Sequence, residues 1–339
     1  HRHISNLFDV KQVAIDNLAA AGVDITPVVT VVNGVNNHMV GPIFDYCMAN
    51  HTKMGGPAFQ PVSFTGRDEE IADDVRLRQR YTTAHLAHEL ARHTDGRIDP
   101  LRDWYPLGAS TAFAALSDHL AGPDHDFGQL SCGCHPNCGA ATMILHNKRT
   151  NAWAPITAFF DLDRFFRDLD VVVDSARGRA LTLTQLGLSF LRNFDEKKAP
   201  AGLTPRALVG MFNGKMGGSV TGAEDERPSD WRMTSILSMW FQDLWNYDFR
   251  RTEMCVIPYG TQEGEISFCA YNTGVGWRNI IEQMRMVATT KDWFAERGRH
   301  QIYAGDRPVP MPAALKRRLP VVAAEAGEDA ACGAGCGCH

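Results

Sequence analysis

No apolar run in this 339-residue chain approaches the roughly 18 residues of a membrane-spanning helix. The basic excess of nucleic-acid binders is missing too. Lys and Arg number 34 against 39 Asp and Glu, a net charge of −5, so no nucleic-acid partner is expected. No secretory leader opens the chain, which begins His1-Arg2-His3. There is no initiator methionine, and a fragment or processed chain is expected. Internal repeats are lacking, as are several catalytic signatures. No G-x-S-x-G nucleophile elbow occurs. The stretch GMFNGK (210–215) is one residue short of a Walker loop. In HELARH, His88 and His93 are five residues apart, about 140° around a helix, and cannot share one metal face.

The apolar fraction of 44% and charged fraction of 22% are those of an ordinary globular protein. The length suits two domains, or one large α/β domain with an appendage. Cysteine is absent from most of the chain, yet nine are present in total: Cys47, Cys132, Cys134, Cys138, Cys255, Cys269, Cys332, Cys336 and Cys338. A secreted disulfide framework would be short and dense in cysteine. Without export signals, a reducing cytoplasm is the expected compartment, and clustered cysteines there usually mean metal.

The first hundred residues alternate helix and strand. A helix is expected over 8–22, ended by Gly22. The β-branched run within 23–36 suits a parallel strand buried on both faces. Helix over NHMVGPIFDYCMANH, strand within 55–67 and a long polar helix over 68–93 follow. This is the rhythm of a parallel sheet. After Pro100 the character changes. A short helix is expected over 110–120, then the cysteine loop, then a strand at ATMILHN and two helices at LDRFFRDLDVVVDSA and ALTLTQLGLSFLRNF. The aromatic segment 231–249 reads first as a core helix, and second as the wall of a pocket for a long apolar substrate. RRTEMCVIPYGTQEGEISFCAYN reads as a hairpin carrying Cys255 and Cys269 on its two strands.

Cys132, Cys134 and Cys138 follow C-x-C-x3-C in LSCGCHPNCGAATMIL. Gly133 and Gly139 permit a tight bend and Pro136 stiffens it. Zinc ribbons prefer two sets of C-x2-4-C, which this triad fits poorly. Iron–sulfur clusters usually take four cysteine thiolates, so a further ligand must come from elsewhere. The hairpin cysteines, Cys255 and Cys269, can supply it. Structural zinc and a disulfide remain the alternatives. His135 is a ligand or, more often for such a residue, a hydrogen-bonding neighbour. Cys332, Cys336, Cys338 and His339 form either a second metal cap or a Gly/Cys tail without structure. Cys47 reads as a small buried hydrophobe.

Together, CHPNCGAATMIL and RRTEMCVIPYGTQEGEISFCAYN resemble the radical S-adenosylmethionine proteins related to the archaeal tetraether lipid synthase. AAGVDITPVVTVVNGVNNH and GGPAFQPVSFTGR resemble that family's later barrel strands, and the resemblance runs from about residue 8 to about 290. It implies an α/β fold: the C-terminal part of a partial (β/α) radical-SAM barrel over 1–100, an α+β auxiliary iron–sulfur cluster domain over 101–318, and a tail over 319–339. It implies Cys132, Cys134, Cys138, Cys255 and Cys269 as the auxiliary [4Fe–4S] ligand set, one of them spare. It places Asn33, Asn36, Gln60 and Pro61 near S-adenosylmethionine. It implies a 5′-deoxyadenosyl radical that abstracts hydrogen from an unactivated carbon, with an apolar, lipid-like substrate as the leading reading. A peptide or small metabolite, or a non-catalytic electron-transfer module, is the alternative. An electron donor such as ferredoxin or flavodoxin and peripheral contact with a membrane also follow from the resemblance. The family's C-x3-C-x2-C loop and Gly-Gly-Glu-Pro strand do not occur here, nor does its rubredoxin-like cysteine set. The second [4Fe–4S] cluster is therefore expected upstream, in a longer protein.

Overall fold

The computed structural model describes residues 5–65, 70–121, 134–175, 178–215, 230–273 and 276–298, with Pro308. Six strands form one mixed sheet: β1 (Val28–Val31), β2 (Ala58–Pro61), β3 (Tyr105–Pro106), β4 (Gly139–Asn147), β5 (Trp153–Pro155) and β6 (Trp231–Met239). The order is β1-β2-β6-β4-β3, with β5 also paired to β4. β1, β2 and β6 run parallel. β4 runs antiparallel to β6 along its whole length, Gly139 facing Met239 and Asn147 facing Trp231. The sheet therefore joins the first hundred residues to the rest of the chain.

Alternation along β4 and β6 makes this sheet a wall between two cores. Ile144 and Ile236 face a core with Val31, Phe44, Phe59, Leu86 and Leu90. The last four come from β2 and from helices α2 (Val40–Ala49) and α4 (Thr83–His93). Leu145, Trp231 and Met233 face the other core, with Phe165, Leu169 and Phe190. That side is covered by α5 (Thr111–Ala121), α6 (Leu162–Asp174), α7 (Arg179–Asn193) and α8 (Pro205–Lys215). The helices expected at LDRFFRDLDVVVDSA and ALTLTQLGLSFLRNF are α6 and α7. On α6, buried Leu162, Phe165, Leu169 and Val172 recur at the helical period, and the Asp161 side chain caps the Arg164 N–H.

Several expectations need correction. β1 is not buried on both faces: it is the outer strand, and Val28 is 60% exposed. The helix α1 (Leu7–Ala20) that precedes it buries only Gln12. The long polar helix over 68–93 is two helices, α3 (Asp73–Gln79) and α4, because Arg80 leaves the helical conformation between them. Thr82 then caps α4. The aromatic segment 231–249 is not a core helix. Its first half is β6, whose buried residues are Trp231, Met233, Thr234, Ile236 and Ser238, the last three alternating, and its second half is a loop.

The cysteine hairpin also differs from its expectation. α9 (Phe249–Glu253) precedes strands β7 (Pro258–Thr261) and β8 (Gly264–Ser267), and α10 (Phe268–Asn272) follows them. Cys255 stands in the loop before β7 and Cys269 in α10, so the two flank the hairpin rather than ride on its strands. Beyond lie α11 (Trp277–Arg285) and α12 (Thr290–Arg297). Among the described residues no helix is long and apolar enough to cross a membrane.

Candidate thiol site at the carboxyl ends of the parallel strands

β1, β2 and β6 end on the same side of the sheet, and β4 begins there. In open α/β sheets this is the side where ligands bind. Cys138 is fixed to this edge by backbone. The Trp240 N–H donates to the Cys138 carbonyl at 2.7 Å, extending the β4–β6 ladder by one step. The Cys138 N–H donates to the His135 carbonyl at 2.8 Å, closing a tight turn. His135 Nδ1 accepts from the Asn137 N–H at 3.2 Å, so that ring nitrogen is spent on its own loop. Gly139 allows the close approach. A Cβ there would stand 2.9 Å from the Ser238 carbonyl oxygen and 2.6 Å from Leu107 Cδ1.

The loop after β6 supplies the other half. Arg251, at 4% exposure, extends from α9 beneath it. Its Nε donates to Cys138 Sγ at 3.3 Å, and its Nη2 to the Trp240 carbonyl at 2.6 Å. Its Cζ lies 5.7 Å from the Trp240 ring centre, within cation–π range. Buried Cys269 accepts from the Gln242 N–H at 3.4 Å. Gln242 is itself held: its Oε1 accepts from the Asp248 N–H at 2.6 Å, and its Nε2 donates to Thr252 Oγ1 at 3.2 Å. Burial pushes the Cys269 thiol up from its ordinary value, and the Gln242 N–H opposes this. Nearby Cys255 raises it further, while the Arg251 charge lowers it. Half-buried Cys255 turns its Sγ towards the Ile257 carbonyl at 3.6 Å.

Cys138 and Cys269 thus converge on Arg251 and Gln242, with Cys255 close by. Cys138, Cys255 and Cys269 are free thiols. Cys134 is buried at the mouth of the same loop. Cys132 lies outside the described residues, as do Cys332, Cys336, Cys338 and His339. Among the described residues, no group of three or more His, Cys, Asp or Glu side chains is arranged to hold a metal ion. In kind, the donors suit an iron–sulfur cluster: soft sulfur, an N–H directed at sulfur and a buried cation.

Gln60 and Pro61 end β2. Pro61 faces Val31 on β1. On the other side Phe59 faces Ser238, which puts Gln60 level with Met239 and one strand short of Gly139. The carboxamides of Asn33 and Asn36, after β1, engage backbone. Asn33 Nδ2 donates to the Arg78 carbonyl at 2.8 Å. Asn36 Nδ2 donates to the Thr30 carbonyl at 2.8 Å, and its Oδ1 accepts from the Val32 N–H at 2.8 Å. Asn36 therefore clasps its own loop.

A second connection to this loop was not foreseen from sequence. Buried Asp243 takes both arms of Arg80, at 2.6 Å from Nη1 and 3.1 Å from Nη2, and the Phe64 N–H at 3.0 Å. Ser63 Oγ donates to the Phe241 carbonyl at 2.6 Å. The tail of β2 and the α3–α4 corner are thus tied to the loop that carries Gln242. The aromatic segment does not form one wall. Trp231 belongs to a core, whereas Trp245, 38% exposed, lies under Arg76 with that Cζ 4.4 Å above its ring. Cys47 is buried as expected, and burial pushes its thiol up to about 12.

Comparison with known proteins adds a direction. No family model matches the chain. It is similar to the 7,8-dihydro-6-hydroxymethylpterin dimethyltransferase of Methanocaldococcus jannaschii, 28% identical over 274 residues. The match covers 79% of this chain and 52% of the relative. The chain therefore spans about half the length of the curated relative it matches. That relative is an enzyme of group transfer, and its name concerns a pterin rather than a lipid.

Proposed function

We propose that this chain is part of a radical S-adenosylmethionine enzyme, in which residues 134–273 hold an auxiliary iron–sulfur cluster beside the substrate. Two things support the reading: the cysteine motifs, and the similarity to a dimethyltransferase over 79% of the chain. The observation that carries it is the convergence of Cys138 and Cys269 on Arg251 and Gln242 at the strand ends. The fold class is part of the proposal. β1 and β2 stand for the last strands of a partial barrel, and the outer edge of β1 is where preceding strands would pair.

When bound, S-adenosylmethionine and its cluster supply hydrogen abstraction from an unactivated carbon, and the protein supplies position and dryness. Cys132, Cys134, Cys138, Cys255 and Cys269 are the pool of cluster ligands. Gln242 directs its N–H at the Cys269 sulfur and Arg251 its Nε–H at the Cys138 sulfur. The Gln242 N–H favours the thiolate of Cys269 over its thiol. Gln60 and Pro61 stand where a cofactor on the parallel strands would meet the cluster region. Asn36 keeps the β1 loop in shape, and Asn33 ties it to the chain before Arg80.

For the substrate, the kinship favours transfer of a one-carbon group to a small heteroaromatic molecule over modification of lipid chains. A cytoplasmic site with a ferredoxin- or flavodoxin-class donor suits this reading. The test uses the protein as its gene encodes it, reconstituted anaerobically with iron and sulfide. With S-adenosylmethionine, a reductant, a labelled one-carbon donor (a second S-adenosylmethionine or a methylene-carrying pterin) and a hydroxymethylpterin, it should release 5′-deoxyadenosine and place the label on the pterin. Release of 5′-deoxyadenosine with lipid extracts, and none with pterins, would reverse the substrate assignment. Absence of release with either would contradict the activity.

A further inference from the structure

Arg251 is 4% exposed, and a buried guanidinium costs several kcal/mol unless a counter-charge faces it. Arg80, whose side chain is 19% exposed, shows how this chain meets that need: it takes Asp243 in both arms. Arg250, adjacent in sequence, is exposed and pairs with Asp248 at 2.9 Å. Arg251 differs. Among the described residues no carboxylate forms an ion pair with it. Its hydrogen-bond partners are the Trp240 carbonyl, which is neutral, and Cys138 Sγ. The uncompensated guanidinium is thus directed at sulfur.

We infer that Arg251 is the charge-compensating and positioning residue of the thiol site, holding a net-anionic, thiolate-ligated centre through Cys138. The inference rests on the iron–sulfur reading above. Thiolate-ligated iron–sulfur centres carry net negative charge, and reduction by one electron adds another. A buried cation at hydrogen-bond distance favours the reduced state and so raises the potential. The guanidinium also spans two acceptors at once, joining the cysteine loop to the end of β6, which a lysine ammonium would do less well.

The experiment compares wild type, Arg251→Gln and Arg251→Lys as full encoded proteins, purified anaerobically. Iron and sulfide are counted, and the auxiliary centre is titrated with dithionite and followed by electron paramagnetic resonance. Arg251→Gln should lower the reduced-to-oxidised ratio at fixed poise about tenfold, a shift of ~59 mV for one electron. Arg251→Lys should restore most of that ratio. If Gln cannot retain the centre while Lys does, the charge is again what matters. An unchanged midpoint in Arg251→Gln with full iron, or loss of the centre in both variants, overturns the role given to Arg251's charge. Wild type devoid of iron and sulfide overturns the iron–sulfur reading itself, and this inference with it.

Discussion

The two ends of the central sheet bury different titratable groups. At the carboxyl ends of β1, β2 and β6, buried charged side chains are hydrogen-bonded: Asp243 with Arg80 and the Phe64 N–H, Arg251 with Cys138 and the Trp240 carbonyl. At the other end two imidazoles are buried, one on β4 and one after α2. His51 and His146 stack edge to face, ring centres 4.2 Å apart, and neither Nδ1 has a hydrogen bond. Burial holds both imidazoles neutral, and Arg232 reinforces this. His146 is pushed down to about 4, with His51 adding to the effect, and Lys148 adds to it at His51. A cavity of ≈ 650 Å³ opens beside this end, lined by His51, Lys148, Trp231 and Arg232 among others. One end of the sheet is built to hold charge and the other to refuse it. That contrast is a stronger pointer to the working end than cavity size.

The contrast can be broken in stages. The largest effect is expected at Asp243. Asp243→Ala strands the Arg80 guanidinium and frees the loop from β2, which should cost about 3–5 kcal/mol in denaturant unfolding. A cost near zero would mean that this connection does not hold the working end together.

At the opposite end the lever is pH. The folded-state value of His146 lies below its unfolded value near 6.5, so the unfolded chain binds more protons between the two. Stability should therefore fall as pH drops from about 6.5 towards 4, by up to about 3 kcal/mol from this group. His146→Leu should flatten that slope. An unaltered slope in the variant would move the titration elsewhere.

A smaller effect is expected from Gly139→Ala. Its new Cβ meets the Ser238 carbonyl and Leu107, and overpacking of this kind costs about 1–3 kcal/mol. Smallest is Cys47. With its thiol near 12 and its side chain buried, it should resist alkylation at pH 8 in the folded protein, as read by mass spectrometry. Rapid labelling there would contradict the packing of α2.

The nearness of Cys138 to the hairpin cysteines was legible in sequence; their role as ligands is part of the proposal. The crowded loop and the separated pair Cys255 and Cys269 pointed to one another because thiols in a reducing compartment rarely cluster without cause. What escaped was local conformation. Residues 231–239 carry apolar side chains at both helical and alternating spacings, and only the ladder with β4 selects the strand. Within 68–93 Thr82 was available as a helix cap, but the Asp243 that holds Arg80 between the two helices is 163 residues away. Arg250 and Arg251 are equivalent as letters. One is exposed on Asp248 and the other buried on sulfur, a difference that exists only after α9 docks under the loop.

The most direct measurement is metal and sulfide content after anaerobic purification of wild type, Cys138→Ser and Cys269→Ser. Wild type is expected to hold iron with matching sulfide at the auxiliary site, and either substitution should lose it. Zinc without sulfide in wild type, or iron and sulfide unchanged in both variants, would contradict an iron–sulfur site here.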